Sequence, residues 1–269
     1  MKPVTPTPKQ LYGAYIFDID GTISLGDAAL PSVPETIARL RALGRRTIFL
    51  SNNTTRNVAA YSARLTALGI PTDPDDIVNA SQVLIRYLGR EMPGGTLHVV
   101  GEPPLIEDLR AAGFGVSPVA DEIDAVIASF DRTLTYAKLQ LAFDAIRSGA
   151  RFFATNADRY CPNPGGGQPD AAAVIAAIEA CTGVACETIV GKPSALTADY
   201  VFERVGLRSD ECIMIGDRLE TDIEMANRAG MASALVLTGA TSESTARDSH
   251  IRPTYLLRNL RDVLPEEYR

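Results

Sequence analysis

Short apolar runs alternate along this chain with segments whose apolar positions recur every third or fourth residue, the pattern of a parallel sheet with helices on its faces. The run at 14–17, Ala-Tyr-Ile-Phe, reads as a buried strand that ends at Asp18. Over 34–43, Ile37, Leu40 and Leu43 share one helical face and Gly44 can close the helix. The apolar run at 47–50 is a second strand, ending at Ser51. Residues 57–68 repeat the helical period through Val58, Tyr61, Leu65 and Leu68, with Gly69 as the stop. Two strand-loop-helix units are thus in place at the N-terminal end.

The alternation restarts near Ser81. The spacing predicts a helix over 82–87, strands over 97–100, 124–128 and 152–154, and helices over 104–112, 136–147 and 170–181. Beyond Gly191 come a helix at 195–205, a strand at 212–215, a helix at 222–229 and a strand at 234–237. The middle stretch reads as an α/β unit of its own, with the first sheet resuming after it. No repeat of fixed period is present. The glycines that follow Pro164, at 165–167, predict a loop; a phosphate-cradling P-loop would need a lysine and a Ser or Thr after them, and neither follows.

The length of 269 residues exceeds the usual size of one compact domain, so two domains or one large α/β unit are expected. Disorder is expected only at the ends, chiefly over 1–10. A net charge of −7 argues against nucleic acid or an anionic membrane as partner, since either needs a basic face. No apolar run is long enough to span a bilayer, the first residues lack the apolar core of a signal peptide, and a cytoplasmic location is expected. Cys161, Cys181, Cys186 and Cys212 form no C-x-x-C pair and no metal-type spacing with His98 or His250, so they read as buried or incidental thiols.

Four segments could carry chemistry. Asp18-Ile19-Asp20-Gly21-Thr22 follows a buried strand directly and so sits at its carboxyl end, where open α/β sheets bind ligands. Carboxylates there are costly unless they hold a cation or react. A solvated Asp-Gly turn would use the same dipeptide, whereas a calcium loop would need further acids and a closing Glu. Ser51-Asn52-Asn53 also follows an apolar strand; its hydroxyl and N–H groups can hold phosphate oxygens, though Ser-Asn equally caps helices. Lys192, in Gly191-Lys192-Pro193, offers a compact charge to a phosphate oxygen, or is an ordinary solvated amine. Gly216-Asp217-Arg218-Leu219-Glu220-Thr221-Asp222 follows Ile213-Met214-Ile215 and repeats the strand-then-aspartate arrangement. An exposed acidic helix start would explain Asp222 and explains Asp217 less well. The order of these segments permits one shared crevice.

Together they resemble the motifs of the haloacid dehalogenase (HAD) superfamily of aspartate-based phosphatases: Asp18-x-Asp20-Gly-Thr, Ser51, Lys192 and Gly216-Asp217-x-x-x-x-Asp222. The resemblance implies an α/β fold with a Rossmann-like, doubly wound parallel sheet core at 1–81 and 188–269, and an inserted α/β cap domain at 82–187 that sets substrate specificity. Ser51-Asn52-Asn53, Gly191-Lys192-Pro193-Ser194 and Gly216-Asp217-Arg218 are similar to class IIA, the subgroup of NagD-like, nitrophenylphosphatase-like and phosphoglycolate phosphatases. Ala154-Thr155-Asn156-Ala157-Asp158 resembles that subgroup's Thr-Asn-Pro-Asp cap loop, with Ala157 in place of the proline. It implies substrate contacts from Asn156 and Asp158, although a plain Asn/Asp turn reads the same way.

By the same resemblance Asp18 is the nucleophile that forms a phosphoaspartate, and Asp20 protonates the leaving oxygen and then activates water. Mg²⁺ would be held by Asp18, the backbone carbonyl of Asp20 and Asp217. Ser51 and the Asn52 N–H would bind phosphate oxygens, Lys192 would balance charge, and Asp222 would orient Lys192 or a metal-bound water. The expected activity is hydrolysis of a small-molecule phosphate monoester, a sugar phosphate or similar metabolite. The cap is expected to offer a homodimer surface. A dehalogenase would have no need of Asp20. A phosphomutase or phosphotransferase would keep every motif, and a catalytically silent binding protein would keep the fold without turnover; the sequence leaves both open.

Overall fold

The computed structural model describes residues 7–163 and 166–269; the start of the expected disordered end, 1–6, and two positions of the expected glycine loop, Pro164 and Gly165, lie outside the described residues. The first part comprises β1 (Ala14–Asp18), a small hairpin of β2 (Ser24–Leu25) and β3 (Ala28–Ala29), α1 (Val33–Ala42), β4 (Arg46–Ser51), α2 (Val58–Ala67), β5 (Ile77–Asn79) and α3 (Ala80–Glu91). The middle runs through β6 (Thr96–Val100), α4 (Pro103–Ala111), β7 (Gly115–Val116), β8 (Ala125–Ala128), α5 (Tyr136–Arg147), β9 (Arg151–Ala154), β10 (Tyr160–Asn163), β11 (Gly166–Pro169), α6 (Ala171–Thr182) and β12 (Thr188–Ile189). The last part holds α7 (Ala195–Val205), β13 (Cys212–Gly216), a π-helical turn at Leu219–Ile223, α8 (Glu224–Ala229), β14 (Ala232–Val236), α9 (Glu243–Asp248) and β15 (Tyr255–Leu257).

Two parallel sheets organise these elements. One has the order β15-β14-β13-β1-β4-β5 and the other β12-β9-β8-β6-β7. Both faces of the first sheet are covered, which is why its strands are unbroken apolar runs rather than alternating ones. Tyr15 and Phe17 point to one face and stack with Phe49, their ring centroids 6.3 and 6.0 Å apart in sequence. Ile16, Ile48 and Met214 point to the other, into a core that continues through α3 and α7 to Leu97, Val99 and Phe153 of the second sheet. The outer face of that second sheet, including Val126 and Phe152, is covered by α5 and α6 through Ile146, Val174 and Ile178.

The departures from expectation have local causes. The helix predicted at 82–87 spans Ala80–Glu91, because Asn79 and Gln82 cap each other's backbone N–H groups and set its start earlier. Gly166 and Gly167 lie not in a loop but in β11, paired with β10; a Cβ on Gly167 would collide with the Tyr160 ring. Thr188–Ile189 pairs with Phe153–Ala154 and so joins the second sheet, although 188 onward was expected in the first. No helix among the described residues is long and apolar enough to cross a membrane.

Candidate active site

The chain order makes β1 the point where the first sheet changes direction: the chain passes from β1 to β4 on one side and later returns to β13 on the other. Ligands of open α/β sheets bind outside the strand ends at such a point. Asp18 closes β1, Ser51 closes β4, and Asp217 follows β13 directly. Lys192 enters from the segment between β12 and α7. Its Nζ lies 2.5 Å from Asp18 Oδ1 and 2.7 Å from Asp222 Oδ1, and its side chain is only 3% exposed. Burial alone would lower the lysine pKa, but the two carboxylates outweigh it and hold it raised, so the ammonium is charged.

Asp222 is fully buried, not on an exposed helix start, because the π-helical turn carries it back under the site. Its second oxygen accepts a bond from the Arg218 backbone N at 3.1 Å. Asp18, Asp217 and Asp222 each offer a carboxylate oxygen within 4.8 Å of the others. Burial pushes Asp217 up to about 6, and the Asp222 charge adds to that; burial also raises Asp18, against the pull of Lys192. Asp217 Oδ2 accepts from Ala240 N at 2.6 Å, whereas its buried Oδ1 has no hydrogen-bond partner. Such an orphaned oxygen is costly without a cation, and a cluster of hard oxygen donors fits Mg²⁺. The space around Asp217 is shaped by glycine: Gly21, with φ 99°, and Gly239 stand where any Cβ would overlap its carboxylate.

A cleft of about 390 Å³ opens over these groups, lined among others by Asp18, Asp20, Ser51, Asn52, Lys192 and Asp158. Ser51 Oγ is fixed by Tyr61 OH at 3.0 Å and by Asn53 N at 3.1 Å. Asn52 rivets three segments: its Oδ1 accepts from Lys192 N at 2.8 Å, while its Nδ2 donates to Lys192 O at 3.2 Å and to Asp158 Oδ2 at 2.9 Å. Asp158 therefore reaches the cleft despite Ala157. Asn156 does not. It is fully buried, and its amide nitrogen is committed to Asp158 at 2.9 Å and Asp170 at 3.0 Å, so it braces the cap loop from behind instead of contacting substrate as expected.

Two arginines escaped the sequence reading. Arg218 donates to Tyr160 O at 2.9 Å, lies over the Tyr160 ring and sits 3.7 Å from Asp158. A cation beside a strand-end aspartate was a signal for it. Arg64 Nη2 reaches Asp20 Oδ1 at 3.3 Å, Ser24 Oγ at 2.9 Å and Gly26 O at 2.6 Å. Nothing in the α2 sequence distinguishes it from a solvated arginine. The four cysteines are free, and burial pushes the cleft-lining Cys161 up to about 12, which leaves a neutral thiol with no role as nucleophile.

Comparison with known proteins gives the family of the chain. The family model for haloacid dehalogenase-like hydrolases matches residues 15–115, and a related HAD-like hydrolase model matches 189–263. A sugar-phosphatase of Bacillus subtilis, AraL, is 38% identical over 261 residues, 97% of this chain and 93% of the relative. The chain belongs to the haloacid dehalogenase superfamily. Among solved HAD structures, the 4-nitrophenylphosphatase of Thermotoga maritima superposes with a TM-score of 0.89 at 32% identity, covering 93% of this chain and 95% of that one. A glycerol phosphate phosphatase of Mycobacterium tuberculosis, in complex with magnesium, gives a TM-score of 0.87 at 30% identity, covering 95% and 77%. Within the HAD superfamily these relatives place the chain in class IIA, the subgroup the motifs resemble.

Proposed function

We propose that this chain hydrolyses small-molecule phosphate monoesters, sugar phosphates or similar metabolites, through a phosphoaspartate on Asp18. The observation that carries the reading is the buried Lys192 ammonium joining Asp18 to Asp222, beside the unpartnered Asp217 oxygen. A carboxylate cannot approach a phosphate dianion until opposite charge masks it, and these groups supply that charge. In this reading residues 1–81 and 190–269 form the catalytic core, and 82–189, which include β12 of the second sheet, the cap that selects the leaving group. The phosphatase relatives, acting on sugar phosphates, nitrophenyl phosphate and glycerol phosphate, support the substrate class.

Asp18 attacks phosphorus in line, and the bond to the leaving oxygen breaks as Asp20 hands that oxygen a proton. Asp20 then takes a proton from the water that attacks the phosphoaspartate, which frees inorganic phosphate and restores Asp18. Lys192 holds a phosphate oxygen throughout, Ser51 Oγ and the Asn52 N–H hold others, and Asp222 keeps Lys192 aimed. Mg²⁺ held by Asp18, Asp217 and the Asp20 carbonyl would supply the remaining charge neutralisation.

The test is release of nitrophenol from nitrophenyl phosphate. It should require added Mg²⁺ and stop with a chelator, and Asp18→Asn should lose about 10³-fold or more in turnover while its thermal melting stays like the wild type's. A folded Asp18→Asn protein that still turns over at the wild-type rate overturns the reading.

A further inference from the structure

Beside the cleft that holds Asp18 lies a second one of about 910 Å³, and the two share Asp20, Asn53, Cys161 and Pro162. Asp20 is the proposed proton donor to the leaving oxygen. Because Asp20 borders both, the second cleft lies on the side toward which a leaving group protonated by Asp20 would extend once its phosphate is seated at Asp18.

Three arginines wall this second cleft, from three parts of the fold: Arg56 just ahead of α2, Arg64 within α2, and Arg132 in the segment after β8. Two of them are already committed. Arg64 is tied to Asp20, Ser24 and Gly26. Arg132 grips Glu102 with Nε and Nη2, at 2.7 Å each. Arg56 is a half-buried residue, and its guanidinium has no hydrogen-bond or ion-pair partner among the described residues. The remaining acid of the cleft, Asp27, is exposed on the turn between β2 and β3 and forms no ion pair with it. A guanidinium presents a planar fork matched to carboxylate and phosphate oxygens. In a chain of net charge −7, such a cation left unpaired beside the leaving-group side is suited to an anion.

We infer that the second cleft receives the leaving-group portion of the substrate and that Arg56 selects leaving groups carrying a second anionic group, a carboxylate or a phosphate. The inference rests on the phosphatase reading above and narrows its substrate class. Neutral polyol or aryl leaving groups lack the charge that would engage Arg56.

Matched substrate pairs test this in the intact protein with Mg²⁺: 3-phosphoglycerate against glycerol 3-phosphate for a carboxylate, and fructose 1,6-bisphosphate against fructose 6-phosphate for a second phosphate. In at least one pair kcat/KM should favour the anion-bearing member by about tenfold, with the difference in KM. The pair that shows it identifies the anion. Arg56→Ala should collapse that ratio toward unity, Arg56→Lys should keep part of it, and Arg56→Glu should reverse it. A wild-type ratio near unity in both pairs, or a ratio that Arg56→Ala leaves intact, overturns the inference. Nitrophenyl phosphate separates the two failures: hydrolysis of it without preference in either pair sinks the inference alone, while no hydrolysis of any ester sinks the phosphatase reading with it.

Discussion

Asp217 illustrates how one residue's surroundings predict its chemistry. Its Oδ2 is fixed by Ala240 N, its Oδ1 is orphaned, and burial holds the group up at about 6. Asp217→Asn is predicted to raise the Mg²⁺ concentration for half-maximal rate by about tenfold or more, and to remove most of the rise in Tm that Mg²⁺ gives the wild type. An unchanged Mg²⁺ dependence in both measurements would move the metal elsewhere. Asp170 gives a pH prediction. Burial raises its pKa from 3.8 to about 6, against the hydrogen bonds from Ala171 N and Asn156 that pull it down. Across that window the folded protein binds this proton more tightly than the unfolded chain, so stability falls as pH rises. Asp170→Asn keeps the acceptor oxygen and drops the charge; its stability relative to wild type should grow from pH 4 to pH 7, by at most about 3 kcal/mol in urea unfolding. A difference flat with pH contradicts this. Asp18, Lys192 and Asp217 were legible because reactive types fall directly after buried strands or beside helix starts. Arg64 was not, since its partners Asp20, Ser24 and Gly26 come from a distant segment; nor was the bracing of the cap loop by Asn156, whose amide nitrogen is shared between Asp158 and Asp170.

Elements were readable in proportion to their burial and length. β1, β4 and β13 are covered on both faces and therefore stand out as apolar runs. The helices Tyr136–Arg147 and Ala195–Val205 matched expectation end to end, with Thr135 and Ser194 accepting first-turn N–H bonds and Gly206 closing the second. The edge strands Gly115–Val116 and Thr188–Ile189 were invisible, because two residues carry no period. The π-helical turn was also hidden: its acids read as a helix start, yet the extra residue in the turn swings Asp222 inward. Its close approach to the end of β13 needs Gly216, where a Cβ would overlap the Asp222 carboxylate. Gly216→Ala is predicted to cost about 1–3 kcal/mol and to lower kcat together, as Asp222 and with it Lys192 are displaced. Wild-type Tm and kcat in this variant would show that the turn has slack.

At the scale of the whole molecule, strand order decides where the site forms, since within the first sheet β1 is the strand whose two neighbours, β4 and β13, are reached by chain running in opposite directions. The alternation of elements made the parallel sheets legible. The seam between the two sheets was legible only as motifs, and its bonds were not: Gly191 N donates to Thr155 O at 2.7 Å, and Asn52 and Arg218 bind the segment from Asp158 to Tyr160. A Cβ on Gly191 would meet Thr155 O and Asn52, so the seam depends on that glycine. The seam brings Asp158 over a cleft floored by Asp18 and Lys192, which makes one shared crevice of segments far apart in sequence. The most direct test of that assembly is to quench the Mg²⁺-loaded enzyme during turnover of nitrophenyl phosphate, whose leaving oxygen needs little help from a proton donor, and map the phosphoryl group by mass spectrometry, using Asp20→Asn to slow hydrolysis of the phosphoenzyme. The account predicts one phosphoryl group on the peptide carrying Asp18 and none in Asp18→Asn; a phosphoryl group on another residue, or turnover with no phosphoenzyme in either protein, would contradict it.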